Sequence, residues 1–159
     1  MIKLPLRSSS IEHVLFYGTL MGNSPRQEQL NVKDKLRLVG TAKLEGTMYA
    51  LPTCPGILES GTDTHLVEVH EILDPSVLPI LDDFEEFYPE RPKASRFLRQ
   101  SVWVPELEVD AWVYYLADEA LPDSAPIVED ESWAQYVARM GKVLPADLPP
   151  NTYLHEFNG

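Results

Sequence analysis

The sequence predicts an α+β fold, with several short strands and a few short helices, on three observations. Fourteen prolines are spread through 159 residues, which favours short elements over long helices. Strand patterns recur at residues 12–16, 36–50, 66–72, 97–104 and 109–116. Helix starts are confined to three places, near Ser24, Asp74 and Ser132.

Taken in order, residues 1–10 hold three consecutive serines and read as a loosely held tail. Residues 12–16 form the first strand. It is continuously apolar after His13, which predicts a central position. Ser24-Pro25-Arg26-Gln27 starts a short helix that runs to about Leu30, with Ser24 as cap, Pro25 in the first position and Gln27 in the capping-box position. Residues 36–50 are strand-like but interrupted at Gly40 and Gly46, which predicts two strands joined by a bend or bulge. Residues 51–63 are rich in Pro, Gly and Thr and read as loop. Residues 66–72 alternate as a strand.

Asp74-Pro75 introduces the second helix. Pro79 would clash in a helix interior, so a start at Ser76 places it within the first turn, with the helix running to about Glu86. Residues 97–104 and 109–116 form a hairpin around the turn 105–108. Residues 132–140 form an amphipathic helix, with Trp133, Tyr136, Val137 and Met140 on one face and Gly141 closing it. From residue 144 the chain is Pro-rich and carries no element. A single domain over 11–144, with tails 1–10 and 145–159, is expected.

Composition narrows the function classes. Hydrophobic residues at 44% and charged residues at 24% are ordinary for a soluble globular chain. A net charge of -12 opposes a nucleic-acid backbone or an anionic membrane surface as partner. The single cysteine, Cys54, excludes a disulfide framework within the chain and fits a reducing cytoplasmic setting. No segment has the length of a membrane span or the apolar core of a signal peptide. The four histidines, His13, His65, His70 and His155, lack metal-site spacing, and no phosphate loop or dinucleotide fingerprint is present. No metal or cofactor is expected.

Two stretches carry chemistry. The first is Leu81-Asp82-Asp83-Phe84-Glu85-Glu86-Phe87-Tyr88-Pro89. On a helix Leu81 and Phe84 share a face, Glu85 lies at its edge, and Asp82 and Asp83 can turn to water. A carboxylate held against apolar surface has its acid form favoured, which lifts its pKa toward the range useful in proton transfer. The same residues could equally make an acidic, solvated helix end. The second stretch is Val14-Leu15-Phe16-Tyr17-Gly18-Thr19-Leu20-Met21-Gly22. Gly18 permits a sharp turn or a close approach, and the stretch also reads as a strand ending in an ordinary turn.

In this order the two stretches resemble the gamma-glutamylcyclotransferase-like (AIG2-like) family. Members lead a first strand into Tyr-Gly-Ser/Thr-Leu and carry a catalytic glutamate in a later Leu-Asp-x-x-Glu segment. Leu81-Asp82-Asp83-Phe84-Glu85 is nearest the gamma-glutamylamine branch, and Val109-Asp110-Ala111-Trp112-Val113-Tyr114-Tyr115 fits the family's ending. The likeness spans about residues 11–116. It implies a small mixed β-barrel-like sheet, and an enzyme that closes a gamma-glutamyl amine or amide to 5-oxoproline and frees the amine or amino acid. It implies Glu85 as the general acid and base, with Glu86 the nearest wrong choice. It implies Tyr17, Gly18, Thr19 and Leu20 as the pocket for the glutamyl head, acting mostly through backbone donors.

The partner implied is a small gamma-glutamyl molecule, with no cofactor. Pro55-Gly56-Ile57-Leu58 matches the family's loop near the substrate. The family's Gly and Tyr in the next strand are replaced by Val67 and His70, and Tyr88 and Arg91 stand one residue further apart than the family's Tyr-x-Arg. A binding or regulatory protein of the same fold, and a related activity on another small amide, are the competing readings.

Overall fold

The computed structural model describes residues 11–18, 20–21, 25–52, 54–129 and 132–140. In chain order the strands are β1 (His13–Phe16), β2 (Leu36–Glu45), β3 (Thr47–Ala50), β4 (Pro55–Leu58), β5 (Thr64–Ile72), β6 (Phe97–Val104), β7 (Val109–Leu116) and β8 (Ile127–Val128). The α-helices are α1 (Arg26–Gln29), α2 (Val77–Phe84) and α3 (Trp133–Met140). A five-stranded sheet has the order β2-β5-β1-β7-β6 and a three-stranded sheet the order β4-β3-β8. β1 is therefore central, as its unbroken apolar run predicts. It runs antiparallel to β5 and parallel to β7, so the sheet is mixed.

Period-2 alternation divides the core in two. On one face Leu15, Val67, Val69, Val113 and Tyr115 pack with Trp133, Tyr136 and Val137 of α3. On the other, Val14, Phe16, Phe97 and Tyr114 pack with Val77, Leu81 and Phe84 of α2. Each fully buried aliphatic side chain in these layers contributes roughly 1.5–3 kcal/mol. The apolar face of α3 ends one turn earlier than the sequence implies. Val137 is buried but Met140, at the helix end, is 50% exposed. Gly141, the expected stop, lies outside the described residues.

The break in residues 36–50 falls where the glycines stand. β2 bulges between Leu38 and Gly40. Gly46 separates β2 from β3 at φ +150°, and a Cβ there would lie 2.5 Å from the Leu58 carbonyl oxygen. The expected loop at 51–63 is in part a strand. Its Pro and Gly content hid β4, which pairs antiparallel with β3, Met48 opposite Ile57 and Ala50 opposite Pro55. Pro55 is the first residue of that strand, a position sheets tolerate. Pro55–Leu58 is thus sheet rather than the loop the resemblance implied.

The large sheet curls without closing into a barrel. The 105–108 turn leans on β2 instead: the Lys43 N–H donates to the Glu106 carboxylate (2.9 Å), and the Leu107 side chain lies over Gly40.

The α1 helix is present, with Pro25 at the capping position and Ser24 outside the described residues. The Gln27 side-chain amide donates to the Leu20 carbonyl (2.6 Å), tying the helix to the segment after β1. Ser76 stands at the cap position of α2 without a side-chain cap bond, its N–H donating to the Asp74 carboxylate (3.0 Å), and Pro79 sits in the first turn as the sequence requires. Among the described residues no helix is long and apolar enough to cross a membrane.

Candidate active site

The two stretches that carry chemistry meet at the C-terminal end of α2. That helix ends in a Schellman motif: Phe87 N–H donates to the Asp82 carbonyl (2.9 Å) and Glu86 N–H to the Asp83 carbonyl (3.2 Å). Glu86 takes the left-handed position, φ +56°, which glycine usually fills. The chain changes direction there, and the two neighbouring glutamates part. Glu86 goes to Arg96, whose Nε lies 3.9 Å from its carboxylate. Glu85 joins Tyr17, Gly18, Leu20, Cys54 and Tyr114 in the wall of one cavity.

Burial pushes the Glu85 carboxyl up to about 8, and the nearby charges of Glu86 and Asp82 add to the shift. Glu86 is raised as well, by burial first, with Arg96 holding it down. Glu85 therefore holds its proton near neutrality, yet can release it within the physiological range.

Tyr17 is a structural tie as much as a wall. Its hydroxyl donates to the Tyr114 carbonyl (2.6 Å) and accepts from the Ile57 N–H (3.2 Å), linking β1, β7 and β4. Burial, and then Glu85, push its phenol well up, so it stays protonated. Tyr17→Phe would leave a buried carbonyl and a buried N–H without this partner. A loss of about 1–3 kcal/mol in denaturant unfolding is expected; unchanged stability would remove the tie from the account.

Gly18 is fixed by space. A Cβ there would lie 2.6 Å from Pro55 Cγ, so β1 and β4 can approach only with glycine at this position. The Met21 N–H then donates back to the Gly18 carbonyl (3.1 Å), closing the turn. Thr19 lies outside the described residues.

Asp82 does not turn to water as its sequence position allowed. The Tyr114 hydroxyl donates to it (2.6 Å), and Arg99 pairs with it, Nε to Oδ1 at 3.0 Å. Arg99 is itself laid over the Trp112 ring, 4.4 Å from the centroid. Asp83 is exposed, as expected.

Tyr114 is the wall residue that sequence reasoning placed in the last strand of the hairpin without giving it a part in the site. The signal for it was alternation on β7, which puts Tyr114 on the α2 side and Tyr115 on the other. Burial and Asp82 hold its phenol far above the usual range, so it acts as a hydrogen-bond donor. Pro55, from the segment likened to the family's loop near the substrate, also lines the cavity, as do Cys54 and Phe97, which carried no signal in the sequence. His70 is packed rather than placed in the cavity wall, its ring 5.0 Å from Phe16 and its Nε2 3.0 Å from Glu68. Arg91 stacks on the Tyr88 ring, 4.9 Å from its centroid, beyond the cavity lining. Among the described residues no three His, Cys, Asp or Glu side chains converge on a metal position.

The family described as gamma-glutamyl cyclotransferase, AIG2-like, matches residues 14–135. The chain belongs to this family. Comparison with curated proteins finds no match. Solved structures of the same fold include an AIG2-like protein from Mus musculus, 22% identical, covering 77% of this chain and 88% of that one, TM-score 0.56. The protein ytfP from Escherichia coli is 23% identical, covering 78% and 97%, TM-score 0.56. An uncharacterized protein from Pyrococcus horikoshii is 14% identical, covering 83% and 97%, TM-score 0.59. At these identities the likeness is one of fold. Within the family's gamma-glutamyl cyclotransferase-like architecture, the segment after β1 and the end of α2 enclose the Glu85 cavity.

Proposed function

We propose that this protein is a cyclotransferase that converts a gamma-glutamyl amine or amide to 5-oxoproline and a free amine, with Glu85 moving the proton. The observation that carries this reading is a single half-buried carboxyl, raised by desolvation to about 8, in a cavity walled by Tyr17, Gly18 and Leu20. Family membership supports the reaction class.

The substrate's α-amine attacks its own γ-carbonyl, so the protein chiefly folds one molecule into the attacking shape. The C–N bond of the ring forms, and the bond to the leaving amine breaks. Glu85 takes the proton lost by the α-ammonium and returns it to the departing nitrogen. A free α-amine has a pKa of about 7.7–8.0, so a Glu85 carboxyl near 8 exchanges the proton almost without cost. Backbone N–H groups of the Gly18–Leu20 turn are the proposed donors to the oxyanion. Tyr114, held by Asp82, would help to shape the wall against which the substrate folds.

The free space is about 30 Å³, room for a water or two, so the walls must part to admit a glutamyl group. The test is a panel of gamma-glutamyl amines and dipeptides, with 5-oxoproline read by mass. Release from at least one of them is expected. If every compound is left intact while some bind and raise the melting temperature, the protein is a binding member of the family.

A further inference from the structure

Asp82 stands three residues before Glu85, in the last turn of α2, which makes the two carboxyls neighbours. Its side chain is only 13% exposed and is held at both oxygens. The Tyr114 hydroxyl donates to Oδ1, and Arg99 donates through Nη2 to Oδ2 at 3.3 Å. β6 and β7 set Arg99 and Tyr114 directly opposite each other, so guanidinium and phenol reach the same stretch of α2 from neighbouring strands. The guanidinium is packed against the Trp112 ring and lies 5.6 Å from the Phe87 ring centroid, which fixes its plane.

This clamp bears on Glu85 in two ways. The first is mechanical. Tyr114 lines the Glu85 cavity, its carbonyl accepts from the Tyr17 hydroxyl, and its own hydroxyl is tied to Asp82. Backbone and ring tip are both fixed, so the ring stays a wall. The second is electrostatic. The charges that bear on Glu85 are Glu86 and Asp82. The phenols of Tyr17 and Tyr114, which share the cavity with Cys54, are held protonated. Each carboxylate faces an arginine, Glu86 facing Arg96 and Asp82 facing Arg99. A carboxylate with a guanidinium 3.0 Å away projects a weaker field than a bare one. Glu85 therefore feels the difference between Asp82 and Arg99.

We propose that Asp82 and Arg99 are a positioning pair for the reaction at Glu85: the carboxylate tethers the Tyr114 wall and sets a charge beside Glu85, and the guanidinium balances that charge. The inference rests on the cyclotransferase reading of the cavity.

The test titrates the Glu85 carboxyl of the full chain by carbon-13 NMR without substrate, the signal being assigned by its loss in Glu85→Gln. Asp82→Asn keeps an acceptor for Tyr114 but removes the charge and leaves Arg99 unbalanced. It should move the midpoint down by roughly one pH unit. Arg99→Gln should move it up, and Arg99→Lys, which keeps the charge, should leave it near native. Asp82→Asn combined with Arg99→Gln should bring it back to near native. This double variant leaves neither charge unpaired, so it decides the matter if a single variant does not fold. Tyr114→Phe cuts the tether and keeps both charges. It should leave the midpoint near native and raise KM several-fold for whichever gamma-glutamyl compound is turned over. Midpoints that stay put in Asp82→Asn and Arg99→Gln, or move in the same direction in both, would overturn the proposal. So would a double variant far from native. Turnover of no compound would instead remove the cyclotransferase reading, and the substrate-free titrations would still decide the charge balance.

Discussion

Replacing Glu85 by glutamine is expected to lower turnover at least about 100-fold, the usual contribution of a well-placed acid and base. The amide keeps the shape of the carboxyl and can still hydrogen-bond, but cannot carry a proton. The native pH profile should distinguish this from a steric effect. At acid pH Glu85 and the substrate amine are both protonated and no base exists; at alkaline pH the amine is neutral and, because the lactam nitrogen keeps only one of its two hydrogens, the other still passes through Glu85 to the leaving nitrogen. With Glu85 near 8 and the amine at about 7.7–8.0, kcat/KM should rise with pH and level off above about pH 8. Glu86→Gln is the control. It should keep turnover, because the left-handed turn at Glu86 points that side chain to Arg96. It should also move the acid limb to lower pH, since the Glu86 charge helps to raise Glu85. Turnover in Glu85→Gln equal to the native rate, measured as 5-oxoproline released, would sink the mechanism.

What could be read from the sequence was local or periodic. The continuous apolar run of 14–16 put β1 at the sheet centre, and Gly40 and Gly46 marked a bulge and a break, Gly46 through its left-handed φ and Gly40 through the Leu107 side chain laid over it. The hairpin of β6 and β7 followed from alternation about residues 105–108. The helix bearing Glu85 was legible from Asp74, Pro75 and the placement of Pro79. β4 was not legible, because its Pro and Gly say loop locally and only pairing with β3 makes it a strand. Asp82 was misread for a related reason. Its partners, Arg99 and Tyr114, lie 17 and 32 residues away, and no local pattern announces a pairing of that kind. The cavity wall shares this character, since Cys54, Phe97 and Tyr114 reach it from three separate strands or their flanks. The separation of Glu85 from Glu86 depends on a φ of +56°, which a glutamate does not advertise.

The same Glu85→Gln change should stabilise the protein at alkaline pH. Folding raises the Glu85 carboxyl from an ordinary 4.5 to about 8. Between those values the folded chain holds a proton that the unfolded chain has released, so stability falls as pH rises. The carboxyl's contribution is fully retained below about 4.5 and lost once pH has passed about 8. At about 1.4 kcal/mol per pKa unit, the penalty at high pH is a few kcal/mol. Glutamine does not titrate and escapes it. All other ionisable groups are common to the two chains, so the difference between their melting temperatures isolates this one. That difference should be flat near pH 4, grow from pH 5 to 8, and level off above pH 8 with the variant higher by roughly 5–10 °C. Parallel curves across the whole range would mean that the Glu85 carboxyl is not held out of water. The cavity would then lack the one property that lets a glutamate exchange protons with an amine.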